Sequence, residues 1–127
     1  MRVYKTLMIE AAHKLPEYEG ACQRMHGHSY KVEVWVDGAI GTDGMLVDFA
    51  KIGALVRLFD HQLLNDMPQF KKGVEPTAEN MARIIAAHIF SLPCGGEKHG
   101  ACVRVWETVG SYAQAVIGGM TEGPCYA

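Results

Sequence analysis

A short polar segment carries the densest group of side chains suited to metal chemistry, with Cys22, His26 and His28 close together. Two histidines separated by one residue project to the same side of an extended chain, roughly 7 Å apart, and can share one ion. His13 ends an earlier alternating segment and can supply a third nitrogen from a neighbouring strand. Three histidine ligands with an open fourth position are typical of catalytic zinc. The spacing therefore predicts a zinc site made of His13, His26 and His28.

Cys22 lies in a polar loop, four residues before His26. Its thiol is a candidate fourth zinc ligand, or an acid and base beside the metal, since a nearby cation helps a thiol to lose its proton. The polar surroundings make a third interpretation weaker, in which Cys22 only fills space as a small apolar residue. Both chemical roles stay open at this point.

Asp60 and His61 stand together at the end of a predicted helix. An aspartate beside a histidine can relay a proton or polarise a thiol. The alternative is that His61 only complements the helix dipole, as histidines at helix ends often do.

Glu107 shares one face of a predicted strand with Val103 and Val105, so its carboxylate points to the apolar side. A buried carboxylate needs a partner. Adjacent N–H donors on the edge of a guanidine-like ring would suit it. The alternative is that Glu107 lies at the strand end and reaches solvent.

Alternation of apolar and polar residues predicts four strands, over residues 3–13, 28–36, 101–108 and 111–117. Between the second and third strands the apolar period becomes helical, first after Asp48 and again after Thr77, and both residues can cap a helix. Residues 94–100 are rich in glycine and polar groups and predict a loop. The order ββααββ predicts an α+β domain with an antiparallel sheet.

The composition favours a globular protein, because 49% of the 127 residues are hydrophobic and 20% are charged. This length predicts a single domain over 1–127. A net charge of −2 does not support a nucleic-acid-binding surface, and no apolar run is long enough to span a membrane. The start of the chain lacks the apolar stretch of a signal peptide. We therefore expect a cytoplasmic protein whose four cysteines are thiols.

Six segments, spread in order over nearly the whole chain, resemble the 6-pyruvoyl-tetrahydropterin synthase superfamily. They are Glu10-Ala-Ala-His13-Lys-Leu15, Cys22-x-x-x-His26-Gly-His28, Gly44-Met-Leu-Val-Asp48-Phe49, Asp60-His61-x-x-Leu64-Asn65, Pro76-Thr77-x-Glu79-Asn80 and Trp106-Glu107-Thr108. The three-residue spacer after Cys22 is most similar to the bacterial branch that forms 6-carboxytetrahydropterin. Residues 94–100 and 118–127 match none of the motifs.

The resemblance implies a zinc-dependent lyase. Its substrate would be 7,8-dihydroneopterin triphosphate, and its products 6-carboxy-5,6,7,8-tetrahydropterin, triphosphate and acetaldehyde, on the route to 7-deazaguanines such as queuosine. The family's motifs imply zinc ligands at His13, His26 and His28, catalytic groups at Cys22, Asp60 and His61, and substrate contacts at Glu107, Thr77 and Thr108.

The resemblance also implies an assembly. The family's tunnelling fold is a four-stranded antiparallel sheet with two helices between strands 2 and 3, and subunits associate into a barrel, commonly a hexamer of two trimers. Because active sites lie between subunits, Asp60 and His61 could serve a neighbour's zinc. Two other functions stay open: a pyruvoyl-forming or side-chain-cleaving enzyme of the same fold, and a pterin- or metal-binding module without turnover.

Overall fold

In the part of the chain that the structure describes, five strands form one sheet, and two helices cover one of its faces. The computed structural model describes residues 1–15, 20, 23–71 and 73–120. The strands are β1 (Arg2–His13), β2 (His26–Ala39), β3 (Gln62–Leu63), β4 (Glu97–Thr108) and β5 (Ser111–Gly118). The helices are α1 (Phe49–Arg57) and α2 (Ala78–Ser91). Neither helix of the described chain has the length and apolar character that crossing a membrane requires.

The sheet has the strand order β3-β1-β2-β4-β5, and every neighbouring pair is antiparallel except β3 with β1. This arrangement confirms an α+β fold with two helices between the second and fourth strands. The predicted four-stranded, wholly antiparallel sheet was wrong by one strand. Because β3 has two residues, it is too short to show an alternating pattern. It forms where the chain after α1 meets the free edge of β1, opposite Ala11 and Ala12.

The fourth strand starts earlier than the sequence predicts. β4 begins at Glu97, inside the segment predicted as a glycine-rich loop, and Glu97 and Lys98 pair with Ala39 and Gly38 of β2. A register shift after Asp37 accompanies this pairing. Close backbone approach allows it, because a side chain on Gly38 would stand 2.0 Å from the carbonyl oxygen of Glu97.

The core lies between the helices and the inward face of the sheet. Tyr30, Val32, Val34 and Val36 alternate along β2 and are all fully buried, as the period of the sequence predicts. Each such side chain contributes about 1.5–3 kcal/mol relative to exposure. Both predicted caps form: the side chain of Asp48 accepts from Ala50 N at 2.8 Å, and that of Thr77 from Asn80 N at 3.2 Å.

The opposite face of the sheet carries charged and aromatic side chains. Glu33 of β2 accepts hydrogen bonds from Tyr4 Oη at 2.7 Å and from Trp106 Nε1 at 2.6 Å. Arg104 lies over the rings of Trp35 and Tyr112, at 5.2 and 4.4 Å from their centroids. Cross-strand pairs therefore stabilise this face, together with a small buried cluster of Trp35, Cys102 and Met120.

Candidate metal centre

Strand pairing brings the three predicted histidine ligands together. His13 ends β1 and lies opposite His26 at the start of β2, while His28 lies opposite Ala11. The His13 and His26 ring centroids are 4.5 Å apart, and those of His26 and His28 are 4.8 Å apart. Because the register of β1 and β2 also aligns their apolar positions, the hydrophobic pattern that builds the core also places the histidines.

Two backbone carbonyls orient the imidazoles. His13 Nδ1 donates to the carbonyl oxygen of Pro76 at 2.6 Å, and His26 Nδ1 donates to that of Arg24 at 2.7 Å. A carbonyl oxygen can only accept, so each Nδ1 carries a proton, and in a neutral ring Nε2 then presents a lone pair. This is the tautomer that metal-binding histidines adopt when a backbone carbonyl holds the other nitrogen.

The Nε2 atoms of His13 and His26 are 2.9 Å apart. Two lone pairs at that separation repel each other unless a proton or a metal ion lies between them. His28 Nε2 is buried and has no hydrogen-bond partner, which is costly for a polar atom. A metal ion bound to all three nitrogens would remove both penalties, so the donor set fits the predicted ion.

Burial lowers the pKa of His28, the carboxylate of Glu107 opposes that effect, and the imidazoles of His13 and His26 lower the pKa further. The net shift is downward. Since a metal binds the neutral ring, this environment favours the coordinating form of His28.

Glu107 completes the cluster. Its Oε1 lies 3.2 Å from His28 Nε2 and 3.4 Å from His13 Nε2. The four potential ligand atoms all lie within 4.8 Å of one another. A register shift between Trp106 and Thr108 marks a bulge at Glu107, and bulges re-aim side chains next to functional sites. Of the two readings of Glu107, the structure supports the inward one.

Asp60 and His61 form a separate pair on the free edge of β1. Asp60 accepts from the backbone N of Glu10 at 2.7 Å, and His61 N donates to the carbonyl of Glu10 at 2.6 Å. The Asp60 carboxylate lies 3.0 Å from His61 Nδ1. The backbone N–H of Glu10 lowers the pKa of Asp60, slight desolvation opposes it, and the contact with His61 lowers it again. Asp60 therefore stays ionised near neutral pH.

His61 and His28 both line an open hollow of ≈ 490 Å³ along this edge of the sheet. The His61 side chain is 79% exposed, and its backbone has a φ of 56°, an uncommon conformation for a residue other than glycine. A strained residue at the rim of a hollow is typical of functional sites.

A second hollow, of ≈ 510 Å³, lies between α2 and β5 on the other side of Glu107. Asn80, Arg83 and Gln114 are among its lining residues. Glu107 thus stands between this space and the histidines.

The two predicted threonines are not brought into the cluster. The Thr77 hydroxyl caps α2, and the Thr108 hydroxyl accepts from Gly110 N at 3.3 Å. Thr108 lines a third, smaller hollow with Trp106 and Met8.

The carbonyls of Pro76 and Arg24 could not be predicted from the sequence as part of the site. Every residue has a backbone carbonyl, so the residue type does not indicate which one will orient a histidine.

Cys22, the predicted catalytic thiol, lies outside the described residues, as does Cys125. Of the cysteines that the structure describes, Cys94 is a free thiol. Cys102 is disulfide-bonded, so the expectation of four thiols was wrong.

Fold and site together define an α+β protein that gathers three histidines and a glutamate where paired strands end. The chain belongs to the 6-pyruvoyl tetrahydropterin synthase family, whose sequence profile matches residues 2–116. It is 40% identical to the 6-carboxy-5,6,7,8-tetrahydropterin synthase of Synechocystis, over 88% of this chain and 90% of that protein. It is 38% identical to the Bacillus subtilis protein of the same name, over 85% and 80% respectively. These findings confirm the resemblance.

The fold is also similar to that of a solved structure, 6-pyruvoyl tetrahydropterin synthase from Caenorhabditis elegans. The TM-score is 0.67 at 24% identity, with 94% of this chain and 96% of that chain covered. At this identity the likeness supports the fold alone.

Proposed function

We propose that this protein is a zinc-dependent 6-carboxy-5,6,7,8-tetrahydropterin synthase. It converts 7,8-dihydroneopterin triphosphate to 6-carboxy-5,6,7,8-tetrahydropterin, with release of triphosphate and acetaldehyde. The observation that carries the proposal is the clustering of the Nε2 atoms of three histidines with the Glu107 carboxylate, inside a family whose named relatives include this synthase.

His13, His26 and His28 hold the zinc ion in this proposal. When bound there, zinc would supply a Lewis acid for the hydroxyls of the pterin side chain and would thereby make the adjoining C–H bond more acidic. The carbonyls of Pro76 and Arg24 keep the His13 and His26 rings in the coordinating tautomer.

Cys22, Asp60 and His61 move protons. The Cys22 thiolate takes the proton from carbon, helped by the nearby cation. Asp60, ionised near neutral pH, holds His61 by Nδ1, which leaves Nε2 to exchange a proton with the substrate.

Glu107 binds the pterin ring, because its carboxylate can accept from adjacent ring N–H groups. Its place between the metal cluster and the hollow of ≈ 510 Å³ suits a ring whose side chain reaches the histidines. Thr77 and Thr108 assist in substrate binding in this proposal, which for these two residues rests on the family's motifs alone.

The functional unit is a homo-oligomer, a hexamer of two trimers whose sheets join into a barrel. The edges of the sheet support this, since among the described residues no strand pairs with the outer side of β5, and β3 pairs with two residues of β1. Asp60 and His61 lie on that second edge and serve the zinc of a neighbouring subunit. We place the protein in the cytoplasm, on a route to 7-deazaguanines such as queuosine.

An end-point assay tests the proposed activity. Zinc-loaded protein is incubated with 7,8-dihydroneopterin triphosphate, and the products are identified by mass. Acetaldehyde with 6-carboxytetrahydropterin is the expected result. A 6-pyruvoyl product would assign the chain to the sister reaction, and bound metal and pterin without turnover would make it a binding module.

A further inference from the structure

The position of the Glu107 carboxylate has the geometry of a metal ligand. Four donors about 2.0–2.1 Å from one zinc ion stand about 3.3 Å apart in a tetrahedron. Glu107 Oε1 lies 3.2 Å from His28 Nε2 and 3.4 Å from His13 Nε2. Both separations match that spacing.

Hydrogen bonding does not account for these contacts. His28 Nε2 has no hydrogen-bond partner although the oxygen is 3.2 Å away, so any ring N–H would not point at it. The neutral ring of His13 has its proton on Nδ1, facing Pro76, so its Nε2 presents a lone pair 3.4 Å from the carboxylate oxygen and 2.9 Å from His26 Nε2. Such an arrangement of acceptors is costly, and a cation shared among them removes the cost.

Three histidines leave one open position in a tetrahedral site. Glu107 Oε1 stands at ligand spacing from two of the histidines. In the proposed function, however, the side-chain hydroxyls of the pterin need the open position and the pterin ring needs the carboxylate. Both requirements are met if the carboxylate changes partners when the pterin binds.

We propose that Glu107 is the fourth metal ligand of the pterin-free protein and that a hydroxylated pterin side chain displaces it. The released carboxylate then accepts from the N–H groups of the pterin ring. Ligation by Glu107 stands on geometry alone, whereas the displacement rests on the proposed function. Because of this exchange, the fourth metal position opens only when the pterin side chain binds. Until then Glu107 keeps water from that position.

The first test uses cobalt(II) as a spectroscopic substitute for zinc, without pterin. We expect Glu107→Gln to change the visible cobalt spectrum and to weaken cobalt and zinc binding by more than the about 10–100-fold that loss of an outer partner costs. Glu107→Asp keeps the charge but shortens the side chain, so we expect it to resemble Glu107→Gln. The matched control is Glu97→Gln, which removes an exposed carboxylate (81% exposed side chain) remote from the cluster.

Two results would overturn the ligation. One is a cobalt spectrum unchanged in Glu107→Gln. The other is a thiolate charge-transfer band in the wild-type spectrum that disappears in Cys22→Ala, which would assign the fourth position to Cys22. A Glu107→Asp variant with wild-type affinity would reduce the role of Glu107 to its charge.

The second test adds ligands to the wild-type cobalt protein. Dihydroneopterin carries the side-chain hydroxyls and should change the spectrum, whereas a pterin without a side chain should not. If neither changes it while Glu107→Gln does, the displacement is wrong and ligation stands. Because the metal spectra need no turnover, failure of the proposed synthase activity leaves the ligation result intact.

Discussion

His28 has the clearest signature of a ligand among the individual residues. Its Nε2 is buried without a hydrogen bond, and its pKa is lowered by burial and by the two neighbouring imidazoles against the opposing effect of Glu107. A side chain in this situation destabilises the metal-free protein and is relieved when an ion binds.

We therefore expect His28→Ala to reduce zinc affinity by more than about 100-fold, since a direct ligand should matter more than an outer partner. Competition with a chelator of known affinity measures the change. His99→Ala removes an exposed imidazole that contacts Glu97 at 3.8 Å, and should leave the affinity unchanged. Equal zinc affinity in the two variants would contradict the site.

His61 differs from the ligands because it is exposed and belongs to a pair with Asp60. We expect His61→Ala to lower kcat by about 10²–10⁴-fold, the usual contribution of a positioned acid or base. Zinc content should not change, because His61 is outside the cluster. Steady-state kinetics with metal analysis checks both. His88→Ala, on an exposed position of α2, is the control, and loss of zinc from His61→Ala would remove the catalytic role.

At the scale of elements, cross-strand pairs stabilise the face of the sheet opposite α1 and α2. Partial burial tends to raise the pKa of Glu33, but hydrogen bonds from Tyr4 and Trp106, with Lys31 and Arg104 nearby, outweigh it and lower the pKa below 4.5. The charged form of Glu33 is thus favoured in the folded state.

Glu33 therefore stabilises the folded protein more at neutral pH than at acid pH. A carboxylate whose pKa is lower in the folded state contributes stability above its unfolded pKa, near 4.5, and loses it as the pH falls through the folded pKa. We expect Glu33→Gln to lower the free energy of unfolding at pH 7 by about 1 kcal/mol, and by less at pH 3. Urea denaturation at both pH values measures this, with Glu97→Gln as the control. A loss that grows on acidification would reverse the assignment.

Caps and periodicity explain why the elements could be predicted. Asp48 and Thr77 start the helices as their residue types suggest, and the alternation in β2 matches its burial. β3 and the first residues of β4 could not be predicted in the same way. β3 forms by backbone pairing with the edge of β1, and the first residues of β4 pair beyond a bulge. Short or glycine-rich segments show no alternation of apolar residues that would predict such pairing.

For the whole molecule, the metal cluster lies within one chain, whereas the edges of the sheet are where subunits would meet. All four potential ligands belong to one chain, whereas Asp60 and His61 lie on an edge of the sheet that a neighbour could cover. Dissociation of the oligomer should therefore leave metal binding intact and abolish turnover. The single domain over residues 1–127 and the cytoplasmic location stay predictions.

Val116 offers a test, since it is 41% exposed on the edge strand β5. A lysine on an edge strand opposes pairing with another sheet. We expect Val116→Lys to dissociate the oligomer, to retain zinc and to lose most activity. Analytical ultracentrifugation gives the mass, expected near six times 13.9 kDa for the wild type. Val109→Lys, at a fully exposed turn position, is the control. A wild-type monomer with full activity would exclude the shared site.

The sequence by itself determined the types and spacing of the histidines, the apolar periods of the long elements and the family. These are local properties, because side-chain direction in strands and helices follows from the period of the backbone. Only the tertiary structure decided that Glu107 meets His13 and His28, and that the carbonyls of Pro76 and Arg24 set the tautomers. Those contacts depend on strand register, on one bulge and on backbone atoms that every residue shares, so no residue type in the chain announces them.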